Sequence, residues 1–198
     1  MRVLLDCDGV LADFVGGLLE LVNRECGTSY RRSDITEYDI GESLGWDGTM
    51  RVRVDYLVRG EPGMVMGLAV EPGALAGFGL IDQLAGDTYV VTSPWPGHQT
   101  WAHERTRWLR RHFAIPSNHV VHTAAKHLVM GDVLVDDKTS TIERWRREFP
   151  AGLAVQWQTP HNRRDAWDGA STRDWNELAE MCRKHMAAMP DPYSERDE

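Results

Sequence analysis

Along this chain the spacing of apolar positions switches repeatedly between a strand-like run and a helical stripe. Residues 2–5 (Arg-Val-Leu-Leu) form a short apolar run that stops at Asp6, which predicts a buried strand. From Asp13 to about Cys26, Phe14, Leu18, Leu21 and Val22 recur at helical spacing and predict a helix. Residues 27–70 mix Gly, Asp, Arg and scattered aromatics without strand alternation, and read as a helical insertion. After Glu71-Pro72-Gly73, the stretch from Ala74 to Ala85 predicts a helix weakened by Gly77 and Gly79. Thr88–Thr92 predicts a strand. Beyond the Pro94-Trp95-Pro96-Gly97 turn comes an amphipathic helix with Trp101, Trp108, Leu109 and Phe113 on one stripe. His119–His122 and Asp132–Val135 predict two further strands, the second closing on Asp136-Asp137. Ser140-Thr-Ile-Glu143 has a capping-box pattern and opens a helix burying Ile142, Trp145 and Phe149. Leu153–Trp157 reads as the last strand, and Thr172–Met186 as the last helix, before a tail expected to be disordered.

Strands alternating with helices predict an α/β fold, a doubly wound and mostly parallel sheet covered on both faces. Length supports one substantial domain carrying a modest insertion. The division expected is a core of residues 1–14 and 71–186, a small helical subdomain of 15–70 inserted after the first strand, and the tail 187–198. Eight tryptophans are many for 198 residues, and most read as core anchors.

Charge narrows the function. The net charge is −8, of which the last thirteen residues contribute −3, and no basic face is evident. A nucleic-acid polymer therefore has no broad electrostatic footprint to bind. A small anionic ligand would need a metal ion and a few placed cations to reverse the field locally. No apolar run approaches a membrane span, and Asp6 interrupts the N-terminal run too early for a signal peptide. The three cysteines, Cys7, Cys26 and Cys182, have no zinc spacing and read as reduced thiols of a cytoplasmic protein. Cys7 is expected to point into the core, away from the acids on either side of it.

In a doubly wound sheet ligands bind beyond the carboxyl ends of the strands. Four such ends here carry polar residues: Asp6-Cys7-Asp8-Gly9, Thr92-Ser93-Pro94, Lys126 and Asp136-Asp137. Any one alone reads as a turn or solvated residue; four on one crevice do not. Asp6, Asp8, Asp136 and Asp137 together would repel one another, and a hard cation such as Mg²⁺ would relieve that while also pairing with phosphate. Lys126 adds a point charge, while Thr92 and Ser93 add hydroxyl and backbone donors. The set amounts to a phosphate cage with a built-in nucleophile.

Asp6-Cys7-Asp8-Gly9-Val10-Leu11-Ala12-Asp13-Phe14 resembles the first motif of the haloacid dehalogenase (HAD) superfamily, and more narrowly that of the 5′(3′)-deoxyribonucleotidases. Thr92, Lys126 and Asp132–Asp137 match the remaining three motifs in order. The resemblance implies a Rossmann-like sheet with a helical cap, and a Mg²⁺-dependent phosphomonoesterase. Asp6 would attack phosphorus to form an aspartyl-phosphate, and Asp8 would act as acid and then base. The Asp6 carboxylate, the Asp8 carbonyl and Asp137 would hold the metal, with Asp136 behind them. Thr92 and Lys126 would hold the phosphate oxygens. Phe14 sits where these nucleotidases keep an aromatic against the base, and reads equally well as a core residue of the first helix. Trp46, Tyr56, Met64 and Met66 are further candidates for a base pocket.

The expected partner is a small phosphate monoester, a deoxyribonucleoside monophosphate first, and a homodimer is an allowed assembly. Another small phosphate ester, such as a sugar or amino-acid phosphate, or a non-catalytic phospho-ligand module are the alternatives. Trp95-Pro96-Gly97-His98 and residues 40–66 depart from the family pattern, and Gln156–Asn162 resembles it loosely. His98, His103, His122 and His161 read as structural or exposed, because attack by an aspartate needs no histidine.

Overall fold

The apolar run Arg2–Leu5 forms β1, the central strand of a six-stranded sheet in a computed structural model that describes residues 1–163 and 166–189. β2 (Asp87–Thr92), β3 (Val120–His122), β4 (Val133–Asp136), β5 (Leu153–Trp157) and β6 (Ala170–Thr172) complete it in the order β3-β2-β1-β4-β5-β6. Every pairing is parallel, with Leu4 opposite both Tyr89 and Leu134. The order reverses between β1 and β4, so a crevice opens beyond the ends of those two strands.

Side-chain alternation along the strands divides the core into two faces. Val3, Leu5, Val90, Val133, Val135 and Val155 face the larger cluster, which α1 (Phe14–Cys26), α5 (Ala74–Ala85), α6 (Trp101–Phe113) and α8 (Trp175–Ala188) cover. Leu4, Val91, Leu134 and Ala154 face the smaller one, closed by Ile142 and Trp145 of α7 (Thr139–Glu148). Gly77 in α5 has a packing reason: a Cβ there would collide with the Trp175 indole of α8.

Between α1 and α5 the chain makes a 3₁₀ turn at Arg32–Asp34, then α2 (Ile40–Ser43), α3 (Gly48–Gly60) and α4 (Met64–Gly67). Asp13, Asp39 and Asp47 cap α1, α2 and α3 by accepting from Gly16, Glu42 and Met50 amides. The stretch leaves and rejoins the sheet at one place. The Asp13 amide donates to the Ala69 carbonyl (2.9 Å), and the Glu71 amide to the Leu11 carbonyl (2.8 Å). Trp108 Nε1 donates to the Leu68 carbonyl at 2.8 Å, and the Gly63 amide donates to Glu104 at 3.2 Å, so the return leg is fastened to α6.

Three expectations need correction. Leu153–Trp157 is not the last strand. β6 follows it as a three-residue edge strand, Ala-Ser-Thr, whose run is too short and polar to signal itself. Ser140 does not cap α7. The helix begins at Thr139, and Asp136 Oδ1 accepts from the Lys138 amide (2.9 Å) just ahead of it. The last helix starts at Trp175, not Thr172, with Asp174 as its cap. The tail expected from residue 187 starts later, because α8 runs to Ala188, and from residue 190 onward it lies outside the described residues. No helix among the described residues is long and apolar enough to cross a membrane.

Candidate active site

β1 and β4 end side by side at the point where the strand order reverses, and each ends on acid. Asp6, Asp136 and Asp137 are all buried, and each offers a carboxylate oxygen within 4.8 Å of the others. Lys126, in a short 3₁₀ turn after β3, is buried against them, with Nζ 2.6 Å from Asp6 Oδ1 and 2.8 Å from Asp136 Oδ2. Asp6 Oδ1 also accepts from the Cys7 amide at 2.6 Å.

The turn after β1 makes this closeness attainable. The Cys7 carbonyl accepts from the Leu11 and Ala12 amides (both 2.8 Å), curling residues 7–12 into a tight loop. Gly9 has φ +77°, and a Cβ on it would stand 2.6 Å from Asp137 Oδ2. Only glycine fits that close approach.

Burial sets the electrostatics. It pushes the Asp6 carboxyl well above the usual carboxylate range; Lys126 opposes this, while Asp136, Asp137 and Asp8 reinforce it. The Asp136 carboxyl is raised for the same reason, again against Lys126. Burial works against the Lys126 ammonium, but Asp136 and Asp6 outweigh it and hold the proton on. One cation thus faces three crowded carboxylates. All-oxygen donors with surplus negative charge suit a hard divalent cation better than a soft one.

Asp8 turns away from that cluster. Its Oδ1 pairs with Arg105 Nη2 at 2.6 Å, and Arg105 Nη1 donates to Cys7 Sγ at 3.1 Å. Arg105 is fully buried on α6, with its guanidinium 5.4 Å from the Trp101 ring and 5.8 Å from the Trp108 ring. Burial raises the Asp8 carboxyl, and Arg105 pulls it down. The same burial pushes the Cys7 thiol up to about 12, so Cys7 is a core side chain as expected, though one held by a cation.

The acids open onto a cavity of about 530 Å³, within the usual range for a small-molecule site. Asp6, Asp8, Asp137, Lys126, Ser93, Phe14 and Trp46 all line it, as do Trp95, Trp101 and Tyr38. Thr92 and Asp136 do not; both are fully buried, Thr92 at the end of β2 with no partner for Oγ1 among the described residues. Tyr56 is three-quarters exposed on the outer side of α3, and Met64 and Met66 are packed in or against the core, so these three are not pocket residues.

Three contributors to the site lie outside the residues expected to form it. Arg105 is one. The others are His161 and Asn162, in the loop after β5. His161, read from the sequence as structural or exposed, is buried, with Nε2 3.0 Å from Asp137 Oδ2. Asn162 Nδ2 donates to the carbonyls of Asp137 and Trp157, both at 2.8 Å, and so ties that loop to the second acid of β4. Across the mouth, Tyr38 lies edge-on to His161 (5.7 Å) and under the Lys138 ammonium (4.6 Å). Burial and the facing acids, Asp137 first, push the Tyr38 phenol up, keeping it a neutral donor.

Comparison with known proteins agrees with this geometry. The family described as 5′ nucleotidase, deoxy (pyrimidine), cytosolic type C protein (NT5C) matches residues 1–188. The human 5′(3′)-deoxyribonucleotidase of cytosolic type is 29% identical over 170 residues, 82% of each chain. Among solved structures, a HAD family hydrolase from Deinococcus radiodurans R1, with bound phosphate and sodium, superposes with a TM-score of 0.60 at 14% identity. That superposition covers 96% of this chain and 98% of the other and is a likeness of fold. The chain belongs to the cytosolic type C 5′-nucleotidase family, and is a phosphoric monoester hydrolase.

Proposed function

We propose that the protein is a Mg²⁺-dependent phosphatase that forms an aspartyl-phosphate on Asp6 and acts on deoxyribonucleoside 5′(3′)-monophosphates. One observation carries the reading: the buried Asp6 and Asp137 carboxylates and the Lys126 ammonium share the floor of a cavity whose far wall is aromatic, with Asp136 buried behind them. The helical stretch 15–70 acts as the cap of a core formed by 1–14 and 71–186. A cytoplasmic location accords with the name of the human relative.

Lys126 and the Cys7 amide fix the Asp6 carboxylate through Oδ1, so that one of its oxygens attacks phosphorus while the other is left for the cation. The phosphorus–ester bond breaks as the new bond forms, and Asp8 gives its proton to the departing alkoxide. Water then attacks the acyl-phosphate phosphorus, Asp8 takes back a proton, and Asp6 is released as carboxylate. Arg105 on Oδ1 fixes the Asp8 rotamer and leaves Oδ2 to carry that proton. Asp6, Asp137 and the Asp8 carbonyl would hold Mg²⁺, with Asp136 behind them bracing Lys126. Magnesium, when bound, offsets the crowded carboxylates and the phosphoryl charge. Lys126, Ser93 and the β2 end at Thr92 hold the non-transferring oxygens, while Phe14 and Trp46 face the nucleoside.

A second reading has its own support. Asp39 and Arg51, paired at 2.9 Å, also line the cavity and would suit the hydroxyls of a sugar phosphate.

A panel of deoxynucleoside, ribonucleoside and sugar monophosphates, scored by phosphate release with Mg²⁺ and with EDTA, tests the proposal. Turnover of dUMP or dTMP that requires Mg²⁺ and disappears in Asp6→Asn is expected. Sugar phosphates turned over with nucleotides inert would select the second reading. Full activity of Asp6→Asn would refute the mechanism.

A further inference from the structure

Three rings on three different elements form one side of the cavity. Phe14 begins α1, Trp101 begins α6, and Trp95 sits in the loop after β2. Their centroids are 5.9 Å (Phe14–Trp95), 6.0 Å (Phe14–Trp101) and 6.3 Å (Trp95–Trp101) apart. Helices fix the first two, and Trp101 is almost wholly buried. Trp95 has no such support, since it lies between two prolines in an irregular loop.

A carboxylate from the other side of the cavity supplies its tether. Trp95 Nε1 donates to Asp55 Oδ1 at 3.0 Å, and Asp55 belongs to α3. Asp55 is in turn held by Arg59, with Nε at 3.1 Å from Oδ1 and Nη2 at 2.8 Å from Oδ2. The Arg59 guanidinium also lies against Gly97, where φ is +81° and a Cβ would stand 2.9 Å from Cζ. One turn of α3 thus grips residues 95 and 97 of the loop at two points.

Asp55 borders the cavity but is committed to partners within the protein. A bare carboxylate in a cavity that admits an anionic ester would repel it, but this one is already neutralised by Arg59 and accepts from two donors on Oδ1. What it does is fix the plane of an indole whose face borders the cavity. We propose that Asp55 is a positioning residue: it seats Trp95 beside Phe14 and Trp101, completing a wall on which the flat heterocycle of the substrate packs. The wall is complete only while α3 is docked over the loop, so the docked arrangement favours esters that carry a ring. This inference rests on the nucleotide reading above and assigns it a selectivity device.

Steady-state kinetics on dUMP and on 2-deoxyribose 5-phosphate, which lacks the heterocyclic base, test it. Asp55→Ala should raise KM for dUMP about tenfold, the scale of one lost ring-stacking contact, with kcat little changed. KM for deoxyribose 5-phosphate should stay within about twofold of the wild type. Trp95→Phe, which keeps a ring but removes the N–H, should move KM the same way, and the double variant should be no worse than the poorer single variant. Asp55→Asn, which retains an acceptor oxygen, should recover most of the loss and serves as the control for folding. Equal KM increases for both esters, or additive losses in the double variant, would overturn the role of Asp55 while wild-type turnover of dUMP left the nucleotide reading standing. A wild-type preference for deoxyribose 5-phosphate over every nucleotide would overturn both.

Discussion

Lys126→Met tests whether one ammonium holds the acidic site together. Methionine keeps the length and most of the volume of the side chain, so little of the effect should come from packing. What is lost is the common partner of Asp6 and Asp136, at 2.6 and 2.8 Å, inside a cluster that also contains Asp137. Removing one side of a buried ion pair destabilises by about 3–5 kcal/mol, because the remaining charge stays buried without compensation. In a chain of this length each kcal/mol moves the melting temperature by about 2–4 °C, so the variant should melt about 6–20 °C lower in EDTA near neutral pH. The sign with pH is definite. The Asp6 and Asp136 carboxyls already lie above their ordinary values, and loss of the ammonium raises them further. Groups raised in the folded state stabilise it at low pH and lose that contribution as pH rises, so the deficit should shrink on acidification to about pH 5. A saturating divalent cation should shrink it too, and should stabilise the variant more than the wild type. Thermal unfolding followed by tryptophan fluorescence, at two pH values with and without Mg²⁺, reads all three effects. A drop under about 2 °C, or one indifferent to both pH and metal, would mean that Lys126 is not the compensating charge.

Asn162→Ala should leave the fold intact but raise the Mg²⁺ concentration for half-maximal activity by about 10–100-fold, because the Asp137 loop loses its tie to the chain after β5. Arg105→Met should lower kcat by about a hundredfold, the lower end of what a misplaced acid–base group loses, with Arg105→Lys recovering part of it; unchanged kcat would dissociate Arg105 from Asp8 chemistry. Gly77→Ala should destabilise by about 1–3 kcal/mol, seen as a lower urea midpoint, because the Trp175 indole occupies the space of the new methyl group. Cys7, buried and with its thiol pushed up to about 12, should resist iodoacetamide in the native protein at pH 8, while the part-exposed Cys26 is labelled; mass spectrometry of the peptides decides.

The chemical end of this site was legible because it obeys a one-dimensional rule. Parallel strands deliver their carboxyl ends to one edge, so a charged residue placed after an apolar run can be located without coordinates: Asp6 and Asp136-Asp137 at strand ends, and Lys126 a short turn beyond β3. Followed one strand further, the same rule reaches His161 and Asn162 after β5, a fifth polar strand end beside the four that carry the motifs. Arg105 also left a signal: it shares the stripe of α6 that carries Trp101, Trp108 and Leu109, and a charge on a buried stripe requires a buried partner. β6 and the start of α7 left none, since a three-residue edge strand has no periodicity and the Lys138 amide finds its acceptor in Asp136, a strand-end acid. The far wall of the cavity differs in kind. Tyr56 and Asp55 are neighbours on α3, yet one faces outward and the other closes on Trp95, forty residues away. Which of them borders the cavity depends on how α3 is rotated over the loop, and that rotation is set by packing of α3, through buried Val54 and Val58, against segments such as α1. On the proposed reading, the phosphate end of the site is therefore encoded where strands end, and its nucleoside end where a separate helix packs over the loop after β2.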